Sequence, residues 1–286
     1  MKPVVDSTAY LLISHGSRDP RPKEAMNRLA DLVRRHLENQ PAKANTSAAL
    51  QSSASDNSPT LGISTALLSR PRVQTTPPND AIAQVMVGTA CLELAPISLS
   101  EQIREFGTRV AAAGATELKL LPVFLMPGVH VKEDIPQEVK RAQGLLSGVG
   151  LKLTLCPHLG SHEKISEVLA SRLAAVPAEG SLLVAHGSRR PKGNKMIKGL
   201  ADRLNTTVAY WSTPPDIETQ VIDLMQQGCQ RLTIMPYFLF AGGITDAITH
   251  RTEELAERFP KVNFRLLPTL GATDEIADLA VELIYQ

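Results

Sequence analysis

The fold follows from Leu11-Leu12-Ile13-Ser14-His15-Gly16-Ser17-Arg18, where an apolar run stops abruptly at a histidine, a glycine and a small hydroxyl residue. A helical pattern of apolar residues then begins, with Met26, Leu29, Ala30 and Val33 on one face. This order predicts a strand, a tight turn and a helix, with the histidine at the carboxyl end of the strand. In open parallel sheets, ligands bind at that edge.

The same pattern returns 171 residues later as Leu182-Leu183-Val184-Ala185-His186-Gly187-Ser188-Arg189. Two further blocks also recur, pairing Leu121-Pro122-Val123-Phe124-Leu125 with Met235-Pro236-Tyr237-Phe238-Leu239, and Pro157-His158-Leu159-Gly160 with Pro268-Thr269-Leu270-Gly271. The repetition predicts two tandem copies of one unit. We place the N-terminal unit at 1–175 and the C-terminal unit at 180–286, with a linker containing Pro177 and Gly180.

Strands alternate with helices in both copies, which predicts the α/β class, with a parallel sheet flanked by helices in each unit. In the first unit the predicted strands are 10–14, 83–88, 118–125 and 151–155, and the helices are 21–37, 97–113, 135–146 and 163–173, the last capped by Ser161. In the second unit the predicted strands are 182–185, 207–211, 232–239 and 263–267, and the helices are 195–204, 217–227, 248–259 and 274–283.

A low-complexity insertion at about 40–80 interrupts the first copy. From 44 to 69 the only charged residue is Asp56, and Ser, Ala, Asn, Thr, Pro and Gln dominate without a sustained period. This composition is typical of a disordered surface segment. The second copy has no counterpart, which explains the unequal offsets between the repeated blocks.

Bulk composition restricts the function. The net charge of +1 over 286 residues argues against a general nucleic-acid binder. Cys91, Cys156 and Cys229 are scattered, which argues against a disulfide framework, a cysteine zinc site or an iron–sulfur cluster. We see no signal peptide and no apolar run near the ~20 residues that a membrane span needs. We therefore expect a cytoplasmic protein with no nucleic-acid or membrane partner.

Three candidate functional residues, His15, Glu93 and His130, follow predicted strands of the first copy. Because the carboxyl ends of parallel strands converge on one edge, we expect the three side chains to face one pocket. Two imidazoles and a carboxylate suit a divalent ion such as cobalt, nickel, iron or zinc. The alternative from spacing alone is that these histidines only cap loops, since the pattern is not a strong ligand signature.

The second copy retains only part of this set. Its histidine is His186, and an ungapped alignment places Trp211 opposite Glu93 and Ile244 opposite His130. We therefore expect one complete site in the first unit and one decayed site in the second. The pair His158 and His162 spans a Gly-Ser turn instead of one helical face, which argues against a second metal site.

Three motifs together resemble the sirohydrochlorin chelatase family, which belongs to the class II chelatases and includes cobaltochelatases and ferrochelatases. They are Ser14-His15-Gly16-Ser17, Glu93-Leu94-Ala95 and the block from Leu121 to Pro136 that contains Gly128-Val129-His130-Val131 and Asp134-Ile135-Pro136. The resemblance implies two facing α/β units, with a tetrapyrrole entering the cleft between them. It also implies catalytic and metal-handling roles for His15, Glu93 and His130.

The resemblance further implies the substrates. Sirohydrochlorin and a divalent metal, Co²⁺, Fe²⁺ or Ni²⁺, are expected partners, with no permanently bound cofactor. The residues expected to bind the tetrapyrrole are Ser14, Gly16, Ser17, Arg18, Gly128 and Val129. Its carboxylates also need cationic donors, for which the candidates are Arg18, Arg21, Lys23, Lys132, Arg189, Arg190, Lys192 and Lys195.

Other functions remain open at this point. A carrier of metal or tetrapyrrole would use the same ligands without turnover. Histidine phosphohydrolases typically have Arg-His-Gly at the corresponding turn. Here the residues before the two histidines are Ser14 and Ala185 instead of arginine. A serine hydrolase using Ser17 would need a G-x-S-x-G elbow, which this turn lacks. The leading prediction is a lyase that inserts the metal into sirohydrochlorin in cobalamin or siroheme biosynthesis.

Overall fold

A computed structural model describes residues 7–39, 85–190 and 192–286. The predicted insertion at about 40–80, including the segment 44–69, lies outside the described residues. Strands and helices alternate along the described chain, as expected for the α/β class. No helix among these residues combines the length and the apolar character that crossing a membrane requires.

The first unit forms a four-stranded parallel sheet in the order β2-β1-β3-β4. Its elements are β1 (Ser7–Ser14), α1 (Pro20–Asn39), β2 (Val87–Cys91), α2 (Leu99–Ala112), β3 (Ala115–Pro122), a π-helical turn (His130–Asp134), α3 (Ile135–Leu145), β4 (Lys152–Leu155), a 3₁₀ turn (Leu159–Ser161) and α4 (Ile165–Ala174).

The second unit repeats this topology in the order β6-β5-β7-β8, again with parallel pairing throughout. Its elements are β5 (Gly180–Ala185), α5 (Lys195–Arg203), β6 (Thr207–Tyr210), α6 (Ile217–Gln226), β7 (Arg231–Pro236), α7 (Gly243–Arg258), β8 (Asn263–Leu266) and α8 (Asp274–Ile284). Two copies of one parallel α/β unit therefore confirm the predicted fold class.

Several predicted boundaries were wrong, including the end of β7, which is Pro236 instead of residue 239, and the start of α7, which is Gly243 instead of residue 248. Strand β2 lies later than 83–88, because its ladder pairs Tyr10 with Val87 and Ser14 with Cys91. Strand β3 ends at Pro122 instead of residue 125, since its partner β1 ends one residue beyond the Ile13–Pro122 pair. Ser161 does not cap α4; its hydroxyl donates to the His158 carbonyl oxygen at 2.6 Å within the 3₁₀ turn.

The sheets face each other across an inner core that both units share. Buried residues of α1 and α8, such as Leu29 and Leu279, pack there with Leu12 of β1 and Leu183 of β5. Separate outer cores lie beneath α2 and α3 in the first unit and beneath α6 and α7 in the second. Each fully buried leucine contributes roughly 1.5–3 kcal/mol, so the shared core couples the stabilities of the two units.

Two of the polar contacts across the interface use equivalent elements of the two units. Arg172 of α4 donates to the carbonyl oxygens of Thr269 and Leu270, which follow β8. Correspondingly, Glu282 of α8 contacts His162 and Lys164, which lie beyond β4. In each unit the last helix thus contacts the loop that follows the last strand of the other unit.

Candidate functional site

The order of the strands brings three predicted functional residues to one edge of the first sheet. In the order β2-β1-β3, the strands are followed by Glu93, His15 and His130 respectively. The pairing is parallel, so all three residues lie at the carboxyl edge. His158 follows the remaining strand, β4, at the same edge.

The turn after β1 depends on Gly16. Its φ of +101° lies in the left-handed region, and a Cβ there would come within 2.0 Å of the Glu93 carbonyl oxygen. The Glu93 N–H also donates to the His15 carbonyl oxygen at 2.8 Å. Only glycine combines this backbone conformation with such a close approach, so Gly16 allows the two loops to meet.

The side chains of His15, Glu93 and His130 form a compact group whose ligand atoms lie within 4.8 Å of one another. Nε2 of His15 is 3.8 Å from Oε2 of Glu93. The two imidazole rings are 4.8 Å apart between centroids and meet edge to face at 80°. Both His15 and Glu93 side chains are 49% exposed, so an ion can reach the group from solvent.

His130 begins the π-helical turn, in which the Ile135 N–H donates to the His130 carbonyl oxygen. Its Nδ1 lies 2.7 Å from Oδ2 of Asp134, which leaves Nε2 for an ion. A carboxylate that holds one imidazole nitrogen orients the ring and makes the other a better ligand. Asp134 was not among the predicted site residues, although its i, i+4 spacing from His130 is compatible with this contact.

The predicted tetrapyrrole-binding residues lie next to His15 or His130 along the chain. The Ser14 hydroxyl donates to the Ala90 carbonyl oxygen, and the Ser17 hydroxyl accepts from the Asp19 N–H. Arg18 is exposed just beyond them, whereas Gly128 and Val129 immediately precede the π-helical turn. Their substrate-binding roles stay predictions.

Arg21 differs from the other predicted cationic donors. Its guanidinium pairs with Asp19 and, across the interface, with both carboxylate oxygens of Asp246 at 3.0 and 2.6 Å. The hydrogen bonds from Arg21 hold the pKa of Asp246 below its usual value. This side chain therefore joins the two units, and its role as a donor to a substrate carboxylate stays a prediction.

At the carboxyl edge of its sheet, the second unit has fewer potential metal ligands than the first unit among the described residues. In the first unit the Glu93 N–H donates to the carbonyl oxygen of His15. In the second unit the Ser212 N–H donates in the same way to the carbonyl oxygen of His186. Ser212, instead of Trp211, is therefore the counterpart of Glu93. The ungapped alignment was wrong by one residue at this position. Within the described residues, only the first unit brings three potential metal ligands together.

The remaining histidines have separate roles. His162 is buried and contacts Glu282 at 3.0 Å, so it belongs to the interface. His36 lies between Asp274 and Asp278 of α8. Burial, aided by the nearby positive charge of Lys132, lowers the pKa of His158.

A family model described as CbiX matches residues 80–176 and again 180–286. The two matches correspond to the two units, and the first includes Glu93 and His130, whereas His15 precedes it. Together they cover more than half of the chain. This finding supports the duplication and the resemblance that the sequence motifs indicated.

Two curated relatives share moderate sequence similarity with the chain. A sirohydrochlorin cobaltochelatase from Priestia megaterium is 25% identical over 68% of this chain and 66% of the relative. A sirohydrochlorin ferrochelatase from Bacillus subtilis (strain 168) is 25% identical over 59% of this chain and 69% of the relative. The matches thus span about two thirds of each relative.

The fold also occurs in solved structures. The sirohydrochlorin chelatase SirB from Bacillus subtilis subspecies spizizenii, in complex with cobalt, aligns with a TM-score of 0.63 and 18% identity over 98% of this chain and 94% of that chain. SirB from Bacillus subtilis with Fe³⁺ aligns over the same shares with a TM-score of 0.66 and 18% identity. At this identity the likeness concerns the fold.

Proposed function

Because this chain belongs to the CbiX family, we propose that it is a sirohydrochlorin chelatase, which inserts a divalent metal ion into sirohydrochlorin. The observation that carries the proposal is the group formed by His15, Glu93 and His130, whose ligand atoms lie within 4.8 Å of one another. The names of the curated relatives support the same activity. Only the first unit would carry out the reaction.

The metal ion is a substrate in this proposal. His15 and His130 would each offer Nε2, and Glu93 would offer a carboxylate oxygen. Such a mixed set binds Co²⁺, Fe²⁺ and Ni²⁺. Three protein ligands leave positions for water, so the ion can lose water and accept ring nitrogens in steps. The exposure of the group favours rapid loading and release.

Insertion also requires proton removal. The tetrapyrrole loses two pyrrole N–H protons as its four nitrogens bind the divalent ion, so the total charge is conserved. An unprotonated imidazole nitrogen or the Glu93 carboxylate can accept each proton as a general base and pass it to solvent. The same groups that release the metal thus become free to take up protons.

The carboxylates of sirohydrochlorin need donors around the metal group. Arg18 and Lys132 are exposed on the loops that carry His15 and His130, so they are the leading candidates. In the second unit, Arg189, Arg190 and Lys192 follow His186 and are also exposed. Guanidinium groups bind carboxylates in a bidentate manner, which would fix the orientation of the macrocycle.

The test is anaerobic incubation of the protein with sirohydrochlorin and Co²⁺, Fe²⁺ or Ni²⁺, followed by absorbance. Replacing His15 or His130 by Ala, or Glu93 by Gln, should lower the insertion rate by about 100-fold, the usual scale for losing a general base. His186→Ala is the matched control and should stay within about twofold of the wild type, because its edge lacks the other ligands.

Two results would contradict the proposal. If His186→Ala abolished insertion while His130→Ala were tolerated, the assignment of the site would be wrong. If the protein bound sirohydrochlorin and metal with no turnover for any ion, it would be a carrier instead of an enzyme.

A further inference from the structure

Leu94, the residue after Glu93, combines two features that are each unfavourable for a leucine. Its φ of +60° lies in the left-handed region, where a bulky side chain crowds the backbone. The residue is also 57% exposed, so burial in a core does not offset the strain. Among the described residues, the other non-glycine residue with positive φ is Asn205, and asparagine adopts this conformation readily. Neither backbone preference nor packing therefore explains a leucine at position 94.

The chain is fixed on both sides of this strained leucine. Upstream, the Leu92 N–H donates to the Ser14 carbonyl oxygen at 2.9 Å. The side-chain amide of Gln102 donates to the carbonyl oxygen of Cys91 at 2.8 Å and to that of Ile97 at 3.2 Å, so it closes the loop between them. A strained residue persists where its surroundings fix it in this way, and such residues cluster at functional sites.

The second unit has no such strain at the equivalent position. Because Ser212 is the counterpart of Glu93, Thr213 is the counterpart of Leu94. Thr213 is not among the described residues with positive φ, and its hydroxyl oxygen is buried beside Gly187, where it would lie 2.6 Å from an added Cβ. Within the described parts of the chain, the strained and exposed leucine thus belongs to the unit that brings three potential metal ligands together.

Apolar side chains adjoin the potential metal ligands at two places. Phe124 is one: its ring centroid lies 6.3 Å from that of His15 and 6.5 Å from that of His130. Leu94 is the other, since it follows Glu93 directly. Phe124 is partly buried against the outer core, whereas Leu94 belongs to none of the three hydrophobic clusters of the described residues. The apolar surface of Leu94 is therefore available to a ligand.

We propose that Leu94 packs against the apolar face of sirohydrochlorin and positions the macrocycle over His15, Glu93 and His130. This role rests on the proposed function. The ring nitrogens must reach an ion held by these three side chains, so the face around the nitrogens has to lie against the surface beside them. Because the loop is fixed in the free protein, ordering Leu94 on binding costs little conformational entropy. Its exposed apolar surface is then removed from water in the complex.

Leu94→Asn tests this role, because asparagine suits the left-handed conformation but is polar. The variant should melt at the same temperature as the wild type or higher. Its affinity for metal-free sirohydrochlorin, titrated by absorbance, should fall about fivefold or more, since the apolar contact is lost. KM for sirohydrochlorin in the insertion assay should rise by a similar factor. The affinity for Co²⁺ alone should stay within about twofold, because position 94 supplies no metal ligand.

Two further variants are the controls. Leu94→Met keeps both an apolar side chain and the strained backbone, so it should bind sirohydrochlorin within about twofold of the wild type, as expected for an apolar exchange of similar volume. Leu145→Asn removes a leucine at the end of α3 that is 52% exposed. This second control should change the affinity neither for sirohydrochlorin nor for Co²⁺.

The outcomes distinguish this role from the proposed function. If the wild type binds sirohydrochlorin and Leu94→Asn binds it equally well, the role of Leu94 is overturned while the proposed function stands. If Leu94→Asn loses Co²⁺ affinity together with sirohydrochlorin affinity, the residue shapes the metal ligands instead of contacting the macrocycle, and the role is again overturned. If the wild type binds no sirohydrochlorin, both proposals are overturned.

Discussion

The nitrogen that each histidine presents decides how well the carboxyl edge of the first sheet can hold a metal ion. Asp134 engages Nδ1 of His130 at 2.7 Å, whereas His15 makes only a long contact of 3.3 Å from Nδ1 to the Gly16 carbonyl oxygen. Of the two proposed ligands, His130 is therefore the better oriented. His15 would keep more freedom to follow an ion as the ion moves to another partner.

Replacing Asp134 by Asn should weaken Co²⁺ binding about 10-fold or more, because outer carboxylates that orient metal-binding histidines typically contribute that much. Titration of the protein with Co²⁺, followed by its visible absorption bands, measures the effect. Glu133→Gln is the control: it removes a neighbouring exposed charge outside the His130–Asp134 contact. Equal losses in the two variants would show that charge alone, and not ring orientation, matters.

Gly16→Ala should damage both stability and metal binding. The new methyl group would have to displace the Glu93 carbonyl oxygen, 2.0 Å away, in addition to adopting a positive φ. Gly148→Ala, at φ +92° with open space around it, carries only the backbone strain of about 1–2 kcal/mol. Urea unfolding and Co²⁺ titration of both variants check this; metal binding should be lost only in Gly16→Ala.

At the scale of elements, helices α1 and α8 form the central contact between the two units. His36, near the end of α1, places Nδ1 2.6 Å from Asp278 and Nε2 3.0 Å from Asp274. A neutral imidazole has only one N–H, so donating to both carboxylates requires the protonated ring. Accordingly the hydrogen bond with Asp274, followed by that with Asp278, raises the pKa of His36.

Stability should respond to pH through this contact. Because the folded pKa lies above the unfolded value of 6.5, the contribution of His36 is fully present below that pH and is lost as pH rises through the folded pKa. The expected difference in unfolding free energy between wild type and His36→Gln is about 0.5–1 kcal/mol at pH 5.5, declining towards pH 9. Urea titrations across this range measure it, with exposed His250→Gln as control; a difference that grows with pH would contradict the assignment.

At the scale of the whole molecule, the inner core contains buried residues of both units. Leu29 of α1 is completely buried in a cluster that also includes residues of α5, α8 and β5. Loss of packing in one unit should therefore also lower the stability of the other unit. Trp211, the only tryptophan, lies in the second unit and is 39% exposed, so its fluorescence reports on that unit.

Leu29→Ala should lower the urea midpoint of the Trp211 transition, although the substitution lies in the first unit. The free energy of unfolding should fall by about 2–5 kcal/mol, as for other buried leucines replaced by alanine. Leu145→Ala, at a first-unit position that is 52% exposed, should leave the midpoint nearly unchanged. If circular dichroism shifted in Leu29→Ala while the tryptophan transition did not, the units would unfold independently.

The sequence by itself determined the repeated strand–turn–helix units, because apolar periodicity and turn glycines are local signals. It also placed His15, Glu93 and His130 on one edge, since parallel pairing forces strand ends together. The unit boundaries, the catalytic roles of these residues and the character of the insertion stay predictions. These features could be predicted from local sequence patterns because each pattern depends on only a few neighbouring residues.

Only the tertiary structure decided the contacts between distant parts of the chain. Ser212 replaced Trp211 as the counterpart of Glu93, because the hydrogen bonds after β6 set the register there. Arg21 contacts Asp246, 225 residues away, and His36 contacts α8, because helix α1 packs against the second unit.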